Sequence, residues 1–256
     1  MISYFPIEII HLGPIPIRAW GFFVALGFLI GILFSRFLAR KDKNLQEHIV
    51  NLGLWSLLGG ILGSRLLFVL TDLKYFFNNP IEIFQIWNGG MSILGGLILA
   101  ILFNYLYIQK HKLNFWKLGD LIAPGLALGL AIGRVGCFLI HDHVGTVMAV
   151  PHFWGINFEG QIRHENALYL ILSNALMFVF LLILRHFAKK EGMVFLGFLA
   201  WYSLARISLD FFRDFEVKYF NLTDAQWLSI GIILFAFFYL ILLKLKMQSS
   251  KHKTTT

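Results

Sequence analysis

Charge is scarce in this chain, and the scarcity decides its class. Asp, Glu, Lys and Arg make up 14% of the 256 residues, against about 25% in soluble domains. Cysteine is nearly absent: Cys137 stands alone, which excludes an intramolecular disulfide, and no Cys/His spacing resembles a zinc site, so no metal is expected. No basic leading segment is present, because the first basic residue is Arg18, after Pro6, Pro14 and Pro16. A cleavable signal peptide is therefore not expected. Neither a fixed-period repeat nor a strand–Gly-x-Gly-x-x-Gly–helix unit occurs, which argues against a solenoid and a dinucleotide fold. What is abundant is apolar: 58% of residues are hydrophobic, 27 are Phe, and the mean hydropathy is +0.71. Too little polar surface remains to cover a globule, so the lipid bilayer must serve as solvent. A soluble enzyme and a disordered chain are disfavoured. The formal charge of +8 is read as membrane topology, with no nucleic-acid partner.

Apolar stretches of about 20 residues, the length that crosses about 30 Å of hydrocarbon, lie near 19–37, 50–70, 91–109, 119–139, 166–187, 193–212 and 226–245. The expected fold is all-α, with about seven transmembrane helices. The fourth stretch opens with Asp120 and Pro124 and runs into Arg134, so a broken or re-entrant segment is expected there. Basic residues cluster after the first stretch (Arg36, Arg40, Lys41, Lys43), between the third and fourth (Lys110, Lys112, Lys117), after the fifth (Arg185, Lys189, Lys190) and in the tail (Lys244, Lys246, Lys251, Lys253). The opposite loops hold only Arg18, Lys74, Arg163, Arg213 and Lys218. The positive-inside rule then puts the N-terminus outside and the C-terminus in the cytoplasm. Residues 1–247 read as one polytopic membrane domain and 248–256 as a disordered cytoplasmic tail.

Four constellations could carry chemistry. Gly125, Gly129 and Gly133 recur every four residues and would let a second helix backbone approach; packing alone explains them. Arg134, directly after them, is costly in hydrocarbon and needs an anion or water; it is either a snorkelling side chain or a phosphate clamp. Tyr202, Arg206, Asp210 and Arg213 share a helix face by spacing. They form either an ion pair that permits burial or a cationic face for a phosphorylated head group, because one carboxylate cannot neutralise two arginines. Arg65 is a third member of that set or a structural partner of Asp72 or Glu82. His141, Asp142 and His143 form a polar group that is either solvated or an acid/base centre. Cys137 reads as a small core residue.

Taken in order, the motifs resemble those of the bacterial phosphatidylglycerol–prolipoprotein diacylglyceryl transferases. They are Pro-Ile-Arg-Ala-Trp-Gly (16–21, with Trp20 where Tyr is usual), Gly-Ser-Arg (63–65), Trp-Asn-Gly-Gly-Met-Ser (87–92), Asp-Leu-Ile-Ala-Pro (120–124), Gly-Arg-Val-Gly (133–136), Arg-His (163–164), Tyr-Ser-Leu-Ala-Arg (202–206), Asp-Phe-Phe-Arg (210–213) and Leu-Thr-Asp-Ala-Gln-Trp-Leu-Ser (222–229). The resemblance implies seven spans and a multi-pass protein of the bacterial inner membrane. It also implies transfer of the diacylglyceryl group of phosphatidylglycerol to the lipobox cysteine thiol of a prolipoprotein, with release of glycerol-1-phosphate and without a cofactor. Arg134 and Arg206 match the family's essential arginines, and Arg65, Gly95, Gly96, Arg134, Asp142, Tyr202 and Arg213 make up the implied substrate-binding set. The chain departs from the pattern at Leu94, where the family has His, at the segment after Gly136, and at Ala167 and Leu170, where Gln and Glu are expected. Either His141 or His143 then supplies the imidazole, or the protein is a catalytically altered relative that binds a phospholipid as a lipid-binding or assembly protein.

Overall fold

The computed structural model describes residues 2–13, 15–142, 144–214, 220–223, 225–234, 236 and 238. Among them, six helices are long and apolar enough to cross a bilayer, as an integral multi-pass protein requires. These are α1 (Ala19–Leu38), α2 (Lys43–Thr71), α4 (Ile93–Lys110), α5 (Phe115–Leu139), α6 (Asn166–Phe187) and α7 (Met193–Leu209), the last continued by a 3₁₀ turn to Phe212; a short α3 (Leu73–Asn78) follows α2. The seventh expected span begins as helix α8 (Ala225–Leu234). Most of its remainder, and the expected tail 248–256, lie outside the described residues. The chain divides into two compact units, residues 35–118 and residues 1–34 with 119–256.

In the first of these units α2 and α4 run antiparallel along glycines. A Cβ on Gly63 would strike the Gly95 carbonyl oxygen, and one on Gly59 would sit 2.7 Å from Ala100 Cα. Such proximity needs residues without side chains. Asn104 Nδ2 donates to Ser56 Oγ (2.7 Å) beside this seam. Helix ends are closed locally: Asp42 accepts from Leu45 N–H (3.1 Å) and Asp72 from Tyr75 N–H (3.3 Å).

The other unit is built around α5. Its glycine row faces α1, where a Cβ on Gly31 would lie 2.8 Å from Gly125 O and one on Gly129 2.7 Å from Gly27 O. The backbone that these glycines were expected to admit is thus α1. Contrary to the expectation of a broken segment, α5 is one continuous helix across Pro124. Proline supplies no N–H to the carbonyl four residues back, and that carbonyl, on Asp120, receives a long 3.5 Å contact from Arg185 Nη1. The Asp120 carboxylate accepts from Gly192 N–H (2.6 Å) and Phe195 N–H (2.9 Å), so it closes the N-terminus of α7 from a neighbouring helix. Ala123 and Ala127 pack with Met177, Leu181, Val194 and Phe198 into the core shared by α5, α6 and α7.

Between α5 and α6 the chain folds into strands that the helical reading did not anticipate. β4 (Val144–Val147), β5 (Ile156–Phe158) and β6 (Gln161–Glu165) join β1 (Ile2–Ser3) in a sheet of order β1-β5-β6-β4, while β2 (Ile9–Leu12) and β3 (Ile15–Arg18) form a separate hairpin. Glu159 and Gly160 both have positive φ between Phe158 and Gln161, the signature of a tight hairpin turn. Gly145 bridges Arg213, and a Cβ there would lie 2.5 Å from Phe212 O and 2.7 Å from His164 O. The missing side chain is what lets β4 lie against the end of α7.

Candidate active site

α6 and α7 are consecutive and antiparallel, so the start of α6 and the end of α7 meet at one end of the pair. Arg206 and Asp210, one turn apart and both buried, stand 2.9 Å from one another as an ion pair off the line of a hydrogen bond. Asp210 Oδ1 also lies 3.8 Å from Arg213 Nη1, and its Oδ2 accepts from Thr223 Oγ1 (3.1 Å). The shared carboxylate expected from spacing is therefore present. Thr223 is held in turn by Gln226: Thr223 N–H donates to Gln226 Oε1 (2.9 Å) and Gln226 N–H to Thr223 Oγ1 (3.2 Å). This reciprocal capping box starts α8 and explains the Leu-Thr-Asp-Ala-Gln motif. Tyr202 is half-buried, with its ring stacked on Phe198 at 6.0 Å.

Several polar atoms of α6 and α7 are buried without a hydrogen-bond partner among the described residues: both amide atoms of Asn166, Ser203 Oγ, Arg206 Nη1 and Asp210 Oδ1. Such groups cost about 1–3 kcal/mol each when left unpaired, a cost that Arg206 Nη1 and Asp210 Oδ1 offset through their 2.9 Å ion pair. Native proteins ordinarily give them water or a polar ligand. In the same unit Arg134, on α5 one turn beyond Leu130, is half-buried, and its guanidinium reaches only Cys137 Sγ at 3.7 Å among the described residues. It has no carboxylate partner there. Cys137 is buried, as the core reading held.

The polar group after α5 is not solvated as a whole. His141 is buried; its Nδ1 lies 2.9 Å from Glu165 Oε2, and its ring stacks on Tyr4 at 5.1 Å. Glu165 is fully buried, and its other oxygen caps α6 through Ala167 N–H at 3.3 Å. Burial pushes the Glu165 carboxyl above its usual range, against the lowering pull of His141. Asp142 is half-buried, with its N–H on Cys137 O (3.0 Å). His143 lies outside the described residues. Nearby, Arg163 donates to Asp214 Oδ2 (2.9 Å) and Gly145 O (3.3 Å). His164 Nδ1 pairs with Tyr169 OH (2.9 Å), and burial holds its pKa below the usual imidazole value. Sequence reading missed Glu165 and Asn166 because both stand in an ordinary helix start; an acid beside Arg-His was the available signal.

In the unit of residues 35–118, Arg65 is a clamp for the segment between α2 and α4. Its guanidinium donates to the carbonyls of Glu82, Ile83 (2.9 Å), Gly89 (2.8 Å) and Gly90 (2.9 Å) and lies between the Phe68 and Phe76 rings. The anticipated carboxylate partners are engaged elsewhere, Glu82 by Tyr75 OH and Asp72 in capping α3. Arg65, one of the implied substrate-binding residues, thus has its donors on main-chain carbonyls. Gly95 and Gly96, of the same implied set, are buried where α4 meets the Gly63 and Gly60 carbonyls. Leu94 is exposed. Among the described residues no group of three or more His, Cys, Asp or Glu is placed to hold a metal ion.

Residues 7–242 match the family described as prolipoprotein diacylglyceryl transferase. Similar proteins include the phosphatidylglycerol–prolipoprotein diacylglyceryl transferases of Staphylococcus xylosus (32% identity, covering 95% of this chain and 91% of that protein), Listeria monocytogenes (32%, 93% and 90%) and Clostridium botulinum (32%, 89% and 93%).

Proposed function

Because the chain belongs to the prolipoprotein diacylglyceryl transferase family, we propose that it moves the diacylglyceryl group of phosphatidylglycerol onto the lipobox cysteine thiol of a prolipoprotein. In that reaction the thiol loses its proton, a sulfur–carbon bond forms at the glyceryl carbon, and the carbon–oxygen bond to phosphate breaks, releasing glycerol-1-phosphate. The developing negative charge on the departing phosphate calls for fixed cations in a place poor in water. The observation that carries the reading is Arg134: a half-buried guanidinium on an apolar helix, without a carboxylate among the described residues. Arg134 binds the lipid phosphate, and Arg206, held by Asp210, steadies the charge that develops as the phosphate leaves. Tyr202, Arg213 and Asp142 line the same site, and the unpaired atoms of Asn166 and Ser203 suit a hydroxyl-rich head group. His141 or His143 takes the thiol proton. The protein is placed in the bacterial inner membrane with its N-terminus and this site outward, as the loop charges indicate.

The test uses the full chain in phosphatidylglycerol vesicles with a lipobox peptide, reading the thioether-linked diacylglyceryl product by mass spectrometry. Product from the wild type that disappears in Arg134→Ala is the expected result. One specific departure favours a second reading, in which the protein binds a phospholipid without transferring it: Leu94 stands where the family has His. Wild type that gives no product, yet is stabilised by phosphatidylglycerol over phosphatidylcholine, would establish that alternative.

A further inference from the structure

We infer that Glu165 and His141 act as one proton-accepting unit, with His141 as the base and Glu165 as the residue that positions and charges it. The inference rests on the transferase reading, which requires a group to take the thiol proton. The other described histidines of the same unit are less suited to that task. His164 is engaged with Tyr169, His152 stacks on Trp154 at 4.4 Å, His11 lies in the β2–β3 hairpin, and His186 is at the far end of α6. His141 differs in having a carboxylate on Nδ1 at 2.9 Å. That bond sets the Nδ1–H tautomer and leaves the Nε2 lone pair as the proton acceptor. Nε2 has no hydrogen-bond partner among the described residues.

The backbone supplies a second argument. His141 N–H donates to Phe138 O (3.2 Å) and Asp142 N–H to Cys137 O (3.0 Å), the paired bonds that end a helix in a left-handed residue. His141 is that residue, with φ +48°. Glycine ordinarily occupies the position, because a Cβ is disfavoured there. A histidine held in this conformation is explained by what its side chain does, and its side chain is committed to Glu165. The cap also ties the base to α5 seven residues beyond Arg134, about 10 Å along a helix axis. A thiol and a phosphate ester can be spanned over that distance.

The step balances simply. His141 Nε2 takes the proton of the prolipoprotein cysteine, the thiolate displaces the phosphate oxygen at carbon, and the imidazolium returns its proton to the departing phosphate. Glu165 steadies the imidazolium meanwhile. Among the described residues, the titratable groups around His141 are Glu165, Tyr4 stacked on its ring and Asp142 in its own turn, and Phe138 is an apolar neighbour.

Two conservative variants separate this role from a structural one. Glu165→Gln removes the charge and leaves one acceptor oxygen, so Nδ1–H and Ala167 N–H, which rest on the two oxygens of Glu165, can no longer both be accepted. His141→Asn tolerates the left-handed backbone but accepts no proton at neutral pH. The full chain in phosphatidylglycerol vesicles, with lipobox peptide, is assayed from pH 5 to 9, and folding is checked by circular dichroism. The expected result is a loss of about 10²–10⁴-fold for His141→Asn, the contribution of a general base. For Glu165→Gln a loss of about 10–100-fold is expected, the size typical of an orienting partner, with the acid limb of the rate profile moved to lower pH. Folded Glu165→Gln with an unmoved limb and wild-type rate overturns the inference while leaving the transferase reading intact. Wild type without product overturns both, and the Arg134→Ala comparison distinguishes failure at the phosphate site from failure at the base.

Discussion

Replacing Asp120 by Asn tests the account of how α5 and α7 are joined. The carboxylate accepts from two N–H groups at the start of α7, Gly192 at 2.6 Å and Phe195 at 2.9 Å. Asparagine has the same shape but one acceptor oxygen, so one of the two bonds must be lost and an NH₂ group turned toward an N–H. Hydrogen bonds to charged groups contribute about 1.5–3 kcal/mol. A carboxylate at a helix N-terminus adds about 0.3–1 kcal/mol through the macrodipole. The substitution should therefore cost about 2–4 kcal/mol. Unfolding by sodium dodecyl sulfate titration in mixed micelles, followed by helical circular dichroism, measures this against wild type. Asp120→Glu serves as a control that keeps the charge. A loss below about 0.5 kcal/mol for Asn would refute the claim that this carboxylate closes the helix.

Other expectations follow the same contacts. Gly63→Val should separate α2 from α4, because a side chain there meets the Gly95 carbonyl; overpacking of this kind costs about 1–3 kcal/mol, measurable in the same titration. Thr223→Val removes both the capping-box acceptor and the hydroxyl on Asp210, with an expected loss of about 0.5–2 kcal/mol and weaker activity in the vesicle assay through a loosened Arg206–Asp210 pair. The His164 pKa is lowered by burial, so its contribution to stability is present above the ordinary imidazole value and is lost as pH falls through the folded value. The thermal midpoint should decline on acidification from pH 7 to pH 5 by more in wild type than in His164→Gln, and an equal decline in both would count against the assignment.

The spans and the glycine seam of α5 were legible because each is a local property. A bilayer-length apolar run declares a helix on its own, and a glycine every four residues declares a face that another backbone can approach. Gly125 and Gly129 gave no hint that α1 was the partner, however. The cationic stripe was equally legible, since Arg206, Asp210 and Arg213 belong to one helix end and its turn. Arg65 was not: its four carbonyl acceptors come from residues 17 to 25 positions away, and main-chain oxygens leave no mark in a sequence. Nor was the continuity of α5 legible, because Pro124 and Asp120 look disruptive until Arg185 and the start of α7 are placed against them.

By itself, then, the sequence determined that the chain lives in a membrane, where its long helices run, which arginines break the apolar pattern, and which family it resembles. The first three follow from composition and from spacings of three to four residues, which helix geometry converts directly into faces; the resemblance follows from the motifs and their order. Only the tertiary structure decided which of those polar groups are already engaged. Arg65 is spent on the carbonyls of its own connecting segment, while Arg134 has no carboxylate among the described residues. Tertiary structure also joined His141 to Glu165 across 24 positions. The physical reason is that the cost of a buried charge depends on what surrounds it in three dimensions, and a linear spacing carries no record of that neighbourhood.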